Sequence, residues 1–214
     1  PPDAEHLDLS AFTVLPGLVE CEDSLGLDFG GGRDPFGGLP ASYLAIKGVH
    51  YARILLKAGI TTCLNLHEPY GIDIAWKQAI ADGIMLGPRL LVGCNPLTAV
   101  GGSFAGEGGL LHEMAIEVDG PDEARKGVLE VIERGADLIK VIQTGLIQSS
   151  TDPNVPTDQA GALNPEFTLD ELTVMAETAH QAGKLIIAHA HGGLSARWLV
   201  EAGFDAIGHG TFFT

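Results

Sequence analysis

Cations are scarce in this sequence. Twelve Lys and Arg stand against 28 Asp and Glu in 214 residues, a formal net charge of −16. A nucleic-acid surface needs clustered cations to displace counterions from phosphates, and an anionic membrane surface needs them too. Both partners are excluded, which leaves a small molecule as the expected ligand. Cysteine is scarce as well. Cys21, Cys63 and Cys94 are odd in number and form no Cys-x-x-Cys. That excludes a disulfide scaffold and points to a reducing, cytoplasmic setting. No apolar run approaches the roughly 18 residues of a spanning helix. Pro1-Pro2-Asp3-Ala4-Glu5 has neither the basic start nor the apolar stretch of a secretory signal. With 45% apolar and 19% charged residues, the composition is that of a chain with a core, not of a disordered one.

Apolar runs alternate with helical patterns along the chain. The runs are Phe12 to Val19, Ile60 to Leu66, Arg89 to Gly93, Asp137 to Ile142, Lys184 to Ala190 and Phe204 to Ile207. They are rich in Val, Ile and Leu without polar alternation, as strands of a parallel sheet covered on both faces are. Helices are predicted over Ser42 to Ala58, Ile72 to Asp82, Pro121 to Arg134, Thr168 to Ala182 and Leu194 to Ala202. Thr168 and Glu171 form a capping-box signature. Gly59, Gly135, Gly183 and Gly203 each follow a helix, where a left-handed residue is needed. The fold class is therefore α/β, a (β/α)8 TIM-barrel type that is incomplete, with about six βα units in one domain over residues 1–214. A complete barrel takes ~250 residues. The rival is an open Rossmann-like sheet, but no Gly-x-Gly-x-x-Gly follows the first strand. An incomplete barrel leaves its first and last strands unpaired, which predicts self-association into a homo-oligomer.

In both architectures function sits at the carboxyl ends of the strands. The fifth run ends His189-Ala190-His191-Gly192, and residues two apart project from one face of a strand. The sixth ends Gly208-His209-Gly210. In the fourth, Lys140 sits inside Leu138-Ile139-Lys140-Val141-Ile142. Burial drives a lysine toward its neutral amine, the form that carbon dioxide can carboxylate, whereas an outward or snorkelling lysine stays charged. Imidazoles at the ends of adjacent strands are the commonest ligands of catalytic zinc. Together with the strand lysine they point to a metal or catalytic site. His67 lies at the same end, as a loop residue or a substrate contact. His6, His50, His112 and His180 read as surface or helix-packing residues. The glycine-rich stretches Gly30-Gly31-Gly32 and Gly101 to Gly109 read as ligand-cradling or merely flexible loops. The three cysteines read as small buried residues.

The chain resembles the amidohydrolase superfamily, in the branch of imidazolonepropionase-like and Xaa-Pro dipeptidase-like enzymes. The resemblance is carried by Val14-Leu-Pro-Gly-Leu-Val19, Ala58-Gly-Ile-Thr-Thr62, Gly87-Pro88-Arg89-Leu90, Gly135-Ala-Asp-Leu-Ile-Lys140, Ala188-His-Ala-His-Gly192 and Gly208-His209-Gly210, in family order. It implies a metal-dependent barrel that hydrolyses amide and related bonds. It implies Lys140 as a carboxylated bridging ligand and His189 and His209 as metal ligands. It makes His191 a pocket residue that orients or protonates substrate, though the pair leaves open which of His189 and His191 binds metal. The departures fall at the first strand, where the family's His-x-His lands on Glu22 and Ser24. Glu22 still offers a carboxylate. The family's Gly-Gly-His in the third-strand loop is Gly101-Gly102-Ser103 here, which places Ser103 beside the substrate. The resemblance further implies that the seventh and eighth strands, the Asp they carry and the small sandwich domain are missing.

Two readings of function follow. In the first, a divalent metal, zinc above all and one ion or two, activates water against the carbon–nitrogen bond of a dipeptide or N-acyl amino acid. In the second, the changes at Glu22 and Ser24 leave a catalytically impaired barrel that serves as a binding module.

Overall fold

The computed structural model describes residues 4–26, 39–105, 114–145 and 163–213. Its strands are β1 (Leu18–Asp23), β2 (Ile60–Asn65), β3 (Arg89–Val92), β4 (Leu97–Ala99), β5 (Ile116–Val118), β6 (Leu138–Ile142), β7 (Leu185–Gly192) and β8 (Ala206–Phe212). The helices are α1 (Ala41–Lys57), α2 (Ile72–Ala81), α3 (Gly120–Arg134), α4 (Leu169–Gln181) and α5 (Gly193–Ala202). Every strand pairing is parallel, in the orders β1-β2-β3 and β5-β4-β6-β7-β8. The two groups join where the Asp137 N–H donates to Val92 O at 2.8 Å and the Asp137 carboxylate accepts the Val92 N–H at 3.0 Å. Lys77 anchors that carboxylate at 2.6 Å. The six long strands, taken in chain order with helices between them, form the incomplete (β/α)8 arrangement expected.

The sequence signals map onto these elements for physical reasons. All five residues of β6 are buried, which is why that run shows no polar alternation. Thr168 caps α4 reciprocally with Glu171. Gly59, Gly135, Gly183 and Gly203 all carry positive φ just past a helix. The main core lies between strands and helices and includes Leu90, Val92, Ile139, Val141, Ile186 and Ala188. The opposite, inner face of the same strands carries a separate apolar layer of Leu66, Leu138 and Ile187, with Leu64 and Leu91 against it. Layers of side chains stacked inside a ring of strands are the barrel arrangement.

Two expectations need correction. The first strand does not run from Phe12; it starts at Leu18, whose N–H donates to Gly59 O. Phe12, Val14 and Leu15 are exposed, and Pro16 has no N–H to give a ladder. The run looked like a strand because hydrophobicity alone does not report which residues find a neighbour. The short strands β4 and β5 were also not foreseen. They exist because the third strand breaks after Val92. Cys94 there takes φ +58°, held by its N–H to the Asp73 carboxylate at 2.9 Å and its carbonyl to the Glu68 N–H at 2.9 Å. Three-residue strands carry too little pattern to be read in advance.

Asp137→Ala strands the Val92 N–H at the seam of the two strand groups. A lost buried acceptor costs about 1–3 kcal/mol. The expected result is a lower urea midpoint with an unchanged slope, and an unchanged midpoint would show that the seam is held by other contacts.

Candidate metal centre

Above the inner apolar layer lies a polar one. Alternation sends Leu138 and Lys140 inward from β6, and Ile187, His189 and His191 inward from β7. The parallel register sets Ile142 beside His189, His189 beside Gly208 and Ala190 beside His209. Lys140 Nζ donates to Glu22 Oε1 at 2.8 Å, and His209 Nε2 lies 3.2 Å from the same oxygen. The rings of His189 and His209 are 4.5 Å apart, those of His189 and His191 4.7 Å, and those of His191 and His209 stack at 5.0 Å. One donor atom each of Glu22, His189 and His209 lies within 4.8 Å of the other two. The structure thus brings Glu22, Lys140, His189, His191 and His209 into one cluster.

The end of β8 is shaped for this. Between Ala190↔His209 and Gly192↔Phe212, β7 advances two residues and β8 three, so β8 carries a bulge. His209 adopts φ +69° in it, a conformation that is uncommon for a side-chain-bearing residue. The bulge keeps His209 on the cluster while also turning Thr211 inward, where its Oγ1 meets His191 Nδ1 at 3.0 Å. That contact leaves His191 Nε2 buried without a partner. Gly208 provides the room. A Cβ there would stand 2.2 Å from Glu22 Oε2.

Electrostatics keeps the donors in ligand form. Burial works against an ionised Glu22, but the His209 contact and the Lys140 charge outweigh it and hold the carboxyl well below its usual range. Burial pushes His189 down to about 3, aided by His209 and Lys140. It also lowers His191, with His209 contributing. These imidazoles are therefore neutral at physiological pH. His189 Nε2 lies 3.3 Å from Gly145 O; a carbonyl only accepts, so this bond puts the proton on Nε2 and leaves the Nδ1 lone pair free. Burial likewise drives Lys140 toward its neutral amine, opposed by Glu22.

The segment leaving β1 is laced to the segment leaving β2. Ser24 Oγ donates to His67 O at 2.9 Å, Asn65 Oδ1 accepts from Leu25 N–H at 2.9 Å, and Glu68 Oε1 accepts from Gly26 N–H at 2.9 Å. Ser24, where the resemblance expects an imidazole, is thus a positioning hydroxyl that supports His67. His67 is not a solvated loop residue: its Nδ1 is buried without a partner, and burial together with the Lys140 charge takes it down to about 3. Phe104 packs edge-on against it at 6.0 Å. The Ser103 hydroxyl is also buried and unpartnered. Glu68 is fully buried, and burial pushes its carboxyl up to about 8.

The remaining expectations sort simply. His6, His50 and His180 are exposed, and His180 lies 3.0 Å from the Asp205 carboxylate. Cys63 and Cys94 are buried, but Cys21 is exposed on the outer face of β1, contrary to the packing role expected of it. All three thiols are free. His112, Gly30 to Gly32 and Gly106 to Gly109 lie outside the described residues. Sequence reasoning missed Thr211, Phe104, Gln143 and Glu166. The first lies in the notable Gly-His-Gly-Thr end of β8, but nothing local marks the others.

The residues fit a divalent cation. Two imidazoles and a carboxylate, converging within 4.8 Å of one another, are a donor set suited to zinc. The sequence profile of the amidohydrolase family matches residues 10–214. Ochratoxinase from Aspergillus niger is 29% identical over 222 residues, which cover 92% of this chain and 43% of ochratoxinase. A crystal structure of an amidohydrolase superposes with a TM-score of 0.79 at 26% identity, covering 97% of this chain and 51% of the other. A Xaa-Pro dipeptidase with methionine bound in its active site superposes at 0.75 with 25% identity, covering 93% and 49%. The chain therefore spans about half the length of these relatives or less.

Gly208→Ala places a methyl group on the Glu22 carboxylate and is expected to weaken metal binding at least tenfold while leaving the circular dichroism spectrum unchanged; titration with zinc measures it. Glu68 sets a pH dependence. Its carboxyl is raised in the folded chain, so its stabilising contribution is complete below the unfolded carboxyl value near 4.5 and is lost as pH climbs toward 8. Glu68→Gln, always neutral, should gain on the wild type in urea midpoint between pH 5 and pH 9, and parallel curves would refute the assignment.

Proposed function

The chain belongs to the amidohydrolase family, and from that premise we propose that it carries the metal centre of a hydrolase that cuts the carbon–nitrogen bond of a small substrate. The observation that carries this reading is the convergence of Glu22, His189 and His209 donor atoms within 4.8 Å at the carboxyl ends of the strands. These three residues would hold the ion, zinc by preference. A bound divalent ion supplies Lewis acidity toward an amide carbonyl and toward water.

The chain's own residues have distinct parts. Lys140, as its neutral amine, adds carbon dioxide and releases one proton, becoming a carbamate that completes the ligand set. A carbamate and Glu22 are both anions, so they share this layer only with a cation between them. His191, fixed through Nδ1 by Thr211, presents Nε2 to the substrate for orientation or proton transfer. His67 and Ser103, each with a buried unpartnered polar atom, would contact the substrate.

The substrate is a dipeptide or an N-acyl amino acid. The similarity to a Xaa-Pro dipeptidase supports that choice. Free Cys21, Cys63 and Cys94 support a cytoplasmic setting.

Elemental analysis of the chain, purified without chelators, should find about one divalent ion per chain. His209→Ala and Lys140→Ala should both lose it, together with any hydrolysis of a panel of dipeptides and N-acyl amino acids. Metal content and rate unchanged in His209→Ala would overturn the reading.

A further inference from the structure

We propose that Glu166 is the positioning residue of the substrate pocket: its carboxylate holds the turn that carries Ser103 and Phe104 in place beside His67. The proposal rests on the hydrolase reading above and adds a residue that touches neither the metal cluster nor the reacting bond.

Glu166 is fixed to the strand that bears Lys140. Its N–H donates to Gln143 O at 2.9 Å, and Gln143 directly follows β6. The buried Gln143 amide then pairs with Phe167 in both directions, donating to Phe167 O at 3.1 Å and accepting from Phe167 N–H at 3.0 Å. From this base the Glu166 carboxylate reaches across the end of β4. Oε1 accepts from the Ser103 N–H at 2.9 Å, and Oε2 accepts from the buried Thr98 hydroxyl at 3.3 Å. The turn closes on the carboxylate so tightly that a Cβ on Gly102 would stand 2.4 Å from Oε2.

Among the described residues the turn's other backbone bonds are internal. Gly102 N–H donates to Ala99 O and Ala105 N–H to Gly102 O, both bonds within the turn, and Gly101 takes φ +73°. What it carries matters to the site. Phe104 is buried and meets the His67 ring at 6.0 Å and 85°. Ser103 Oγ and His67 Nδ1 are both buried without a hydrogen-bond partner among the described residues. A charge-assisted acceptor shared by a backbone N–H and a hydroxyl is a strong tie for a turn. Losing it lets the wall shift by a fraction of an ångström, which affects substrate placement before it affects the ion.

The test uses the full chain with Glu166→Ala, Glu166→Gln and Phe104→Ala. In protein labelled with 15N-histidine, Glu166→Ala should move the His67 ring resonances in the same sense as Phe104→Ala and leave those of His180 in place. Glu166→Gln retains an acceptor oxygen for the Ser103 N–H and should restore most of the wild-type position. With zinc-loaded protein and N-acetylmethionine as probe, Glu166→Ala should raise KM about tenfold with kcat within about threefold and zinc content unchanged. The Glu166→Ala/Phe104→Ala pair should be no worse than the single variants, because both act through one wall. If Glu166→Ala fails to fold, Thr98→Val removes one of the two bonds and serves the same comparison. Unmoved His67 resonances, or loss of zinc with Glu166→Ala, would overturn the proposal. A wild-type chain that takes up no metal and turns over no probe would sink the hydrolase reading instead, and the His67 resonances would still decide the role of Glu166.

Discussion

One buried ion pair organises the interior of this protein. Lys140 is 1% exposed in the middle of a strand whose every residue is buried, and Glu22 lies 2.8 Å away. Removing two charges from water costs several kcal/mol per ion, and their attraction seldom returns more than that. Directly beneath, Leu66, Leu138 and Ile187 show that this interior readily takes apolar residues. An apolar pair in place of the charges would serve stability at least as well. Their presence is therefore a matter of chemistry, and much of the surrounding structure accommodates them. Gly208 vacates the space into which the Glu22 carboxylate extends. The lacing of Ser24, Leu25 and Gly26 to Asn65, His67 and Glu68 fixes where β1 ends. The bulge in β8 brings His209 to the same carboxylate oxygen.

The same layer explains why the imidazoles are poised as ligands. Burial disfavours a charged imidazole here, and Lys140 and His209 add to the effect, so His189 and His67 lie far below their usual range. In the proposed ligand set, Glu22 in place of an imidazole would add a negative charge, which suits a divalent cation. His67 and Ser103 are placed differently. They stand on loops rather than strands, and Ser24 and Glu166, which hold them, reach from other loops. Loops that carry binding groups over a rigid sheet are the usual division of labour in this architecture.

Legibility from the sequence followed interaction range. The helices, their glycine exits and the capping box at Thr168 were readable because each depends on residues within one or two turns. The parallel class of the sheet was readable because β6 and β7 are covered on both faces and so show continuous apolar runs. His189, His191, His209 and Lys140 stood out because they interrupt such runs. The first strand was misplaced because Val14 and Leu15 are apolar without being buried, and β4 and β5 were invisible because three residues hold no period.

The sequence by itself determined the α/β alternation, the strand ends on which the histidines sit, and the face that His189 and His191 share. Only the tertiary structure decided what meets there. Glu22 and Lys140 are 118 residues apart, and nothing local in either segment encodes their contact. The turn of His209 and Thr211 toward one site depends on a register shift against β7. The reach of Glu166 to Ser103 spans 63 residues and joins two loops. Period and propensity are local properties of a chain, whereas buried charge is stabilised only by a partner that folding delivers. The first kind of information can be read along the sequence, and the second exists only once the strands have closed around their interior.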